Sequence, residues 1–354
     1  MIRGKTNQLL ILLLFNLLLA GCVSEATISE TESLKPPVRT FYATDRSVTD
    51  AAEPSKKFGN LRGELSYGTC SVSIPPGHAI GKLEQSSDND VREHIVLTGI
   101  SPMSRQEFFR LLSDSATRSK DKGILFYIHG YNTSFEEAAM ELSQLVSDLG
   151  FTGIPVMYSW PSEHAVGGYD ADQTTIEWSQ KNIRDFLGEA LQMTAPVKYY
   201  MLAHSMGNRA LTRAVIELSG SMPKEIRRCK AILLAAPDID SQIFLRDTGP
   251  ALVRTGVPVT MYASSRDRAL SLSKKLHSYP RAGFIEGCPL LVPGIETIDA
   301  SAIGCGFIGH SYYHESRQVI SDLYYILNEG LRADKRFSLQ PVDTGQGRYW
   351  RLKK

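Results

Sequence analysis

Apolar and polar residues alternate along this chain in two different ways, and the change comes near residue 100. Between 38 and 100, short alternating runs separated by turn residues predict β-strands, as in Val38–Ala43 and 61–74. From residue 104 onward, apolar runs of strand length alternate with longer segments of helical spacing. The predicted strands there are 123–128, 154–159, 197–203, 230–235 and 257–263, and the predicted helices are 104–113, 134–149, 174–193, 206–219, 240–252, 267–277 and 316–332. This alternation predicts an α/β fold with a mostly parallel sheet and helices on both faces.

The N-terminus has a different pattern, a nearly continuous apolar run at 9–19 that follows Arg3 and Lys5. A positive start, a short apolar run and small residues at its end are typical of a secretory signal peptide. The run is too short to span a bilayer well, although a transmembrane anchor is the alternative. We therefore predict that residues 1–21 are a signal peptide.

The sequence Leu19-Ala20-Gly21-Cys22 resembles the lipobox of bacterial lipoproteins, in which the cysteine is acylated and the signal is cut before it. The resemblance implies lipid, such as palmitate, on Cys22, and two or more acyl chains anchor a protein stably. Val23 rather than Asp follows the cysteine, which by the rule for that class favours the outer membrane. We expect a lipid-anchored protein that faces the periplasm, with residues 22–37 as the lipidated cysteine and a flexible tether.

Composition and charge exclude several classes of function. The 39 Lys+Arg and 38 Asp+Glu residues give a formal charge of +1, which argues against a nucleic-acid partner. Hydrophobic residues make up 42% of the chain, enough for a sizeable core, and five cysteines are too few for a disulfide scaffold. No Cys/His spacing suggests zinc and no glycine-rich phosphate loop follows the first strand, so we expect neither a metal nor a cofactor.

The most informative stretch is a predicted strand that runs through Ala203-His204-Ser205-Met206-Gly207 directly into a predicted helix. This is the pattern of a nucleophile elbow, which exposes a serine hydroxyl at the top of an α/β sheet. Small residues flank the serine because the bend is tight. We predict Ser205 as the nucleophile and the backbone N–H of Met206 as one donor of an oxyanion hole.

A second loop, His129-Gly130-Tyr131-Asn132, follows the predicted strand 123–128. Hydrolases with a nucleophile elbow place their other oxyanion donor after a His-Gly pair in this loop. We predict that Tyr131 provides this N–H. For His129 we favour a role in holding the loop by hydrogen bonds over a role as the base.

The base must follow the serine and the acid, since hydrolases of this type run Ser, acid, His along the chain. Only His277, His310 and His314 lie after Ser205. His277 comes too early, directly after the segment where the acid is expected. His310 lies in a glycine-bearing loop before the last helix and is preferred to His314, which is already on the helix side.

Two aspartates compete for the role of the acid. Asp267 follows the predicted strand 257–263, at the carboxyl edge of the sheet where such folds have their sites. Asp238 follows the preceding strand, but an N-cap of the next helix is its favoured role. We predict Asp267 as the acid.

Taken together, these blocks resemble a bacterial α/β-hydrolase family that has long been catalogued as a domain of unknown function. The resemblance covers about 38–332. The blocks that carry it are Phe41-Tyr42-Ala43-Thr44-Asp45-Arg46, Tyr67-Gly68, Val72-Ser73-Ile74-Pro75, His129-Gly130-Tyr131-Asn132, Tyr158-Ser159-Trp160-Pro161-Ser162, Ala203-His204-Ser205-Met206-Gly207 and Gly309-His310-Ser311-Tyr312. It implies a serine hydrolase, esterase-like or lipase-like, and it does not define a substrate.

Two further segments are predicted to lie around the site. Trp160 and Tyr169 should rim the substrate pocket, although Trp160 fits the core equally well. The segment 278–309 could form a lid, and within it Cys288 and Cys305 are predicted to pair in the oxidising periplasm.

We therefore expect an α/β-hydrolase domain at 38–335, with a β-rich N-terminal part at 38–100 and a polar basic tail at 336–354. It would cleave carboxylic esters of small molecules or lipids through an acyl-enzyme, and it would contact the membrane through the lipid on its N-terminus. An amidase or thioesterase of the same fold is one alternative. A non-catalytic, hydrolase-like binding protein of the envelope is the other, and an intact Ser/Asp/His set in the correct order argues against it.

Overall fold

The computed structural model describes residues 34–120, 123–165, 167–194, 197–303 and 309–353. Its strands are β1 (Val38–Val48), β2 (Phe58–Ser73), β3 (Val96–Met103), β4 (Gly123–Ile128), β5 (Ile154–Ser159), β6 (Lys198–His204), β7 (Cys229–Ala235), β8 (Val259–Ala263), β9 (Ile295–Asp299), β10 (Leu339–Thr344) and β11 (Gly347–Leu352). They form an eleven-stranded sheet in the order β10-β11-β9-β8-β7-β6-β4-β5-β1-β2-β3.

Six longer helices pack on this sheet: α1 (Arg105–Arg118), α2 (Phe135–Asp148), α3 (Tyr169–Met193), α4 (Gly207–Ser221), α5 (Arg268–His277) and α6 (Arg317–Leu327). Shorter helical segments are Pro54–Lys56, Pro223–Ile226, Ser241–Ile243, Phe244–Thr248, Gly249–Arg254, Tyr312–Glu315 and Ala333–Lys335. Within the described ranges, no helix combines the length and the apolar character needed to cross a bilayer.

In the middle of the sheet, the neighbouring strands β11, β9, β8, β7, β6, β4, β5 and β1 pair in parallel. Antiparallel pairs occur at both edges. Both faces are covered, as parallel sheets require. In β4, Ile124 and Phe126 belong to one apolar core, and Leu125 and Tyr127 belong to the other. The first core contains side chains of α1, α3 and α4, and the second contains side chains of α2 and α6. The predicted α/β fold with a mostly parallel sheet is confirmed.

The predicted positions of the buried central strands agree well with the structure, whereas one helix differs. Strands β4 and β5 have the predicted bounds. The predicted helix 240–252 is interrupted, since it consists of two short helices on either side of a π-type segment. Pro250 is the second residue of the last piece, and a proline lacks the N–H that would continue the hydrogen bonds of the preceding helix.

The C-terminal segment corrects the prediction of a polar basic tail at 336–354. It forms the hairpin β10–β11, and β11 adds to the sheet by pairing in parallel with β9. Leu339, Tyr349 and Leu352 are buried there, so a few apolar residues were enough to anchor the two strands.

The segment 278–309 is also only partly what we predicted. Its residues 295–299 form β9, a strand inside the sheet between β8 and β11, and are therefore not part of a lid. Glu296 and Thr297 interrupt the apolar run, which hid this strand from the sequence pattern. Cys305 lies outside the described residues, so its pairing with Cys288 stays a prediction.

Candidate active site

The bend between β6 and α4 has the geometry of a nucleophile elbow. Ser205 lies between the last residue of β6 and the start of α4 and has a φ of +50°, a conformation that costs free energy for a residue with a side chain. The backbone N–H of Ser205 donates a hydrogen bond to the carbonyl of Ala235, at 2.9 Å, which holds the bend against β7. Gly207 is required, because a Cβ there would overlap the carbonyl oxygen of His129.

The loop after β4 lies directly against this elbow. A Cβ at Gly130 would be 3.0 Å from Cβ of Ser205 and 2.8 Å from Nδ1 of His204, so only glycine allows this approach. The loop then enters α2 through a capping box, in which Ser134 accepts from the Glu137 amide and Glu137 accepts from the Ser134 amide. The backbone of Gly130 and Tyr131 is therefore fixed next to the serine.

His129 holds this loop, as we expected from the sequence. Its Nδ1 donates to the carbonyl of Gly130, at 2.8 Å, and its ring stacks on Trp160 with centroids 5.1 Å apart. Burial, with the charge of Arg46 in addition, lowers the pKa of His129 to about 3. The imidazole ring of His129 is therefore neutral, and it is held by these two contacts. Trp160 is fully buried in this stack, so its alternative assignment to the core is correct and its assignment to the pocket is wrong.

Arg46 is a residue whose role the sequence analysis missed. Its guanidinium is buried and donates to Oγ of Ser159 and to the carbonyls of Thr133 and Ser162, at 2.6 to 3.2 Å. Arg46 therefore connects β1 to the loop after β4, which begins at His129, and to the end of β5 and the loop after it, which begins at Trp160. Arg46 was part of a block that carried the family resemblance, but its partners are far away in sequence and no local pattern reveals them.

Two predicted site residues form a hydrogen-bonded pair above the carboxyl ends of the strands. Nδ1 of His310 lies 2.7 Å from Oδ2 of Asp267, which is fully buried after β8. The other oxygen of Asp267 accepts from the amide of Leu270, at 2.9 Å, and so caps α5. Burial alone lowers the pKa of His310, but the charge and hydrogen bond of Asp267 outweigh it, and the net pKa is raised.

Asp238, the rival acid, is bound by other groups. Arg209 and Arg281 contact its carboxylate at 3.1 and 3.2 Å, Ser273 donates to it at 2.7 Å, and Tyr169 donates a short hydrogen bond. Burial raises the pKa of Asp238, but the two guanidinium groups and the hydrogen bonds outweigh it and the net pKa is lowered.

The N-cap role that we favoured for Asp238 is wrong. The cap of the following short helix is Asp240, whose side chain accepts from the amides of Gln242 and Ile243. The two aspartates lie only two positions apart after β7, so the sequence pattern could not separate the cap from the buried ion pair.

The other histidines near the site are held in structural contacts. Nδ1 of His314 donates to Gln144, at 3.0 Å, and burial lowers the pKa of His314 to about 4. Nδ1 of His277 donates to the carbonyl of Ser273 at 2.8 Å. Nε2 of His204 lies 3.1 Å from the carbonyl oxygen of His310 and supports the loop that carries it.

Ser205 and His310 line one cavity of about 260 Å³. The other lining residues are Tyr131, Gly167, Tyr169, Asp170, Asp238, Ala269, Leu270, Leu272, Ser273 and Leu276. The structure thus brings Ser205, His310, Tyr131 and Tyr169 to one space, with Asp267 behind His310. Met206 is buried at the start of α4, and Cys22 lies outside the described residues.

A serine on a strained elbow, a histidine paired with a buried carboxylate and a backbone loop beside the serine are the parts of nucleophilic catalysis. Elsewhere in the described part of the chain, no group of three His, Cys, Asp or Glu side chains could hold a metal ion. The fold and this arrangement define an α/β hydrolase. The model of the family "Alpha/beta hydrolase of unknown function (DUF900)" matches residues 104–327, and the chain belongs to this family.

Several solved structures are similar to this chain at low identity. A predicted CIB-like hydrolase from Thermoplasma acidophilum is 15% identical, with a TM-score of 0.36, over 59% of this chain and 88% of that chain. An esterase from Rhizomucor miehei is 12% identical, with a TM-score of 0.37, over 84% and 85%. Est1E from Butyrivibrio proteoclasticus is 12% identical, with a TM-score of 0.34, over 75% and 95%. These likenesses do not bear on the substrate. A comparison with curated proteins found no match.

Proposed function

We propose that this hydrolase cleaves carboxylic esters through an acyl-enzyme on Ser205. The observation that carries the proposal is the His310–Asp267 pair, 2.7 Å apart, at a cavity that also contains the hydroxyl-bearing residue of the elbow. A buried carboxylate on Nδ1 fixes the imidazole tautomer, so that Nε2 is left to accept a proton.

In the first half-reaction, Oγ of Ser205 attacks the ester carbonyl while His310 takes the hydroxyl proton. The tetrahedral intermediate collapses, the C–O bond to the alcohol breaks, and His310 returns the proton to the departing alkoxide. In the second half-reaction, water attacks the acyl carbon while His310 takes a proton from it, the bond between Oγ of Ser205 and the acyl carbon breaks as His310 returns the proton to Oγ, and the carboxylic acid leaves. Asp267 stabilises the imidazolium that forms in each step, and atoms and charges balance without a cofactor.

For the oxyanion we propose the backbone N–H groups of Tyr131 and Met206. The proposal is supported by the close approach of Gly130 to Ser205, which leaves no room for a Cβ at Gly130, and by the position of Met206 at the N-terminus of α4. The first turn of a helix presents free N–H groups and a partial positive charge, which favour a developing negative charge. Fixed donors of this kind commonly contribute 10²–10³ to turnover, as an order of magnitude.

The test is turnover of para-nitrophenyl acetate by the wild type, by Ser205→Ala and by Ser265→Ala. Ser265 is an exposed serine in the loop after β8, so its variant controls for the loss of a hydroxyl near the site. We expect Ser205→Ala to lose several orders of magnitude and Ser265→Ala to keep wild-type turnover. Anilide and thioester substrates measured in parallel separate an amidase or a thioesterase from an esterase. No turnover of any of them by the wild type would support the non-catalytic alternative.

We also propose that the protein is attached to the bacterial envelope, at the outer membrane and facing the periplasm, by lipid on Cys22. The support comes from the sequence, where the cysteine directly follows the apolar run and Ala20-Gly21. Cys22→Ala should remain an unprocessed precursor that incorporates no labelled palmitate. Processing of the wild type that is insensitive to globomycin would contradict the proposal.

A further inference from the structure

The cavity at Ser205 is lined by two kinds of side chain. The helix α5 contributes the apolar side chains of Ala269, Leu270, Leu272 and Leu276, and also the hydroxyl of Ser273. Further polar groups come from Tyr131 and Tyr169, whose ring centroids are 5.4 Å apart, and from Asp238, and Ser273 hydrogen-bonds to both Tyr169 and Asp238. The side chains of Ala269, Leu272 and Leu276 therefore form an apolar strip in a cavity that also contains polar groups.

The strip extends beyond the enclosed part of the cavity. Ala269, Leu272 and Leu276 are spaced three and four residues apart, which places them on one face of α5. Their Cα atoms span roughly 10 Å along the helix at 1.5 Å per residue. Leu272 is 57% exposed and Leu276 is 56% exposed, so the strip lines the same cavity as Ser205 and His310 and also reaches solvent.

Packing does not explain these two leucines. The residue by which α5 packs into the core is Leu270, which is 1% exposed and belongs to the core that contains α2 and α6. Single exposed leucines are ordinary on protein surfaces. Two on one helical face, both lining the cavity that contains the proposed nucleophile, provide an apolar surface next to it.

The charges at the cavity indicate what kind of substrate chain fits. The carboxylate of Asp238 is already bound by Arg209, Arg281, Ser273 and Tyr169. Asp170 is exposed at the cavity and would repel an anionic substituent. The cavity therefore disfavours a charged carboxylate tail and favours a hydrocarbon chain on the leucines.

We propose that the strip Ala269–Leu272–Leu276 is the binding site for the acyl chain of the substrate, and that the preferred substrates are esters of medium-length, unbranched fatty acids. The inference rests on the proposed esterase function. With the carbonyl carbon at Ser205, the acyl chain leaves the enclosed part of the cavity along α5 and covers the two exposed leucines. Each methylene buried on the strip should raise kcat/KM by about fourfold.

The experiment compares kcat/KM for para-nitrophenyl acetate and octanoate, both below the concentration at which the longer ester aggregates. The variants are Leu272→Ser, Leu276→Ser and the double variant. The matched control is Leu61→Ser, because Leu61 is 70% exposed in β2 and does not line the cavity. Thermal melting of each variant checks folding, which substitution of exposed side chains should leave unchanged.

We expect the wild type to prefer octanoate, and each leucine variant to lose about tenfold in kcat/KM for octanoate while acetate stays within about twofold. The control should match the wild type with both esters. If the wild type hydrolyses acetate through Ser205 but the leucine variants change both esters equally, or neither, the acyl-chain site is wrong and the esterase proposal stands. If neither ester is hydrolysed and a fluorophosphonate does not label Ser205, the proposed function itself fails, and the acyl-chain site fails with it.

Discussion

Two buried aspartates follow neighbouring parallel strands, and their surroundings differ more than their positions. Asp238 follows β7 and is 1% exposed, and Asp267 follows β8 and is 0% exposed. Two guanidinium groups, a tyrosine and a serine bind Asp238. A backbone amide and the imidazole of His310 bind Asp267.

This difference shows that the role of a buried carboxylate is determined by the groups that bind it, and not by its burial or its position after a strand. A carboxylate bound by two permanent cations has its charge balanced at every step of a reaction. A carboxylate whose partner is an imidazole gains a counter-charge when that imidazole takes a proton. Asp267 can therefore respond to proton transfer, and Asp238 can hold α4, α3 and the segment around Arg281 together.

Of the substitutions that test this comparison, Asp267→Asn should have the largest effect. It should lower turnover by about 10⁴-fold, because an amide favours the wrong imidazole tautomer on His310. Asparagine also caps helices well, so the start of α5 and the melting temperature should change little. Steady-state kinetics with para-nitrophenyl acetate and a thermal melt measure the two effects, and a variant that keeps wild-type turnover would remove Asp267 from the mechanism.

Asp238→Asn should have the opposite profile, a loss of stability with turnover retained. Removing one partner of a buried ion pair leaves Arg281, which is 4% exposed, without its counter-charge, and this should cost about 3 kcal/mol. Urea unfolding measures the loss, and turnover below the melting range should stay within about tenfold of the wild type. A stable Asp238→Asn variant without turnover would mean that the acid follows β7.

The pH dependence of the wild type sharpens the comparison. The charge of Asp267 raises the pKa of His310 above the ordinary value of 6.5, and His310 must be neutral to accept a proton. We therefore expect kcat/KM to rise with pH and to reach its midpoint above that value. Below the midpoint it should fall about tenfold per pH unit. A midpoint below 6.5 would contradict this account of the pair.

A second contact between a histidine and carboxylates, at His78, can be compared with the His310–Asp267 pair. Substitution of His78 should have the smallest effect of the changes considered. His78 lies 2.8 Å from Glu84 and 2.7 Å from Asp148, so both ring nitrogens donate to carboxylates. Burial lowers the pKa of His78, but these two partners outweigh it and the net pKa is raised. The stability from this contact is therefore fully present below the unfolded pKa and is lost as the pH rises through the folded pKa.

His78→Gln should remove that pH-dependent stability, about 1 kcal/mol, and should leave turnover within about twofold of the wild type. Melting temperatures of both proteins at about pH 6 and about pH 8 measure the effect. The wild type should be stabilised relative to the variant at the lower pH only. A loss of turnover in this variant would mean that His78 is coupled to the site.

The comparison also explains what the sequence could predict. Strands β4 and β5 were predicted with their observed bounds because they are short, continuous apolar runs bounded by polar segments. The elbow at Ser205 and the loop at His129 were found because each depends on neighbouring residues in one stretch. The pairing of Asp267 with His310 followed from their order along the chain.

The parts that were missed depend on contacts between distant segments. From its position after β7, Asp238 resembles a helix cap. In the structure, however, Arg209, Arg281 and Tyr169 bind it from three other segments of the chain. Arg46 likewise acts on loops that follow β4 and β5. The hairpin β10–β11 has only three buried residues, Leu339, Tyr349 and Leu352, and no regular apolar pattern marks it in the sequence.

The most direct test of the proposed nucleophile is mass spectrometry of the protein after reaction with a fluorophosphonate, followed by peptide mapping. We predict one adduct, on the peptide that contains Ser205. The rate of labelling should be greatly reduced in Asp267→Asn and nearly unchanged in Asp238→Asn. An adduct on another serine, or equal labelling rates in the wild type and Asp267→Asn, would contradict the proposed Ser205–His310–Asp267 mechanism.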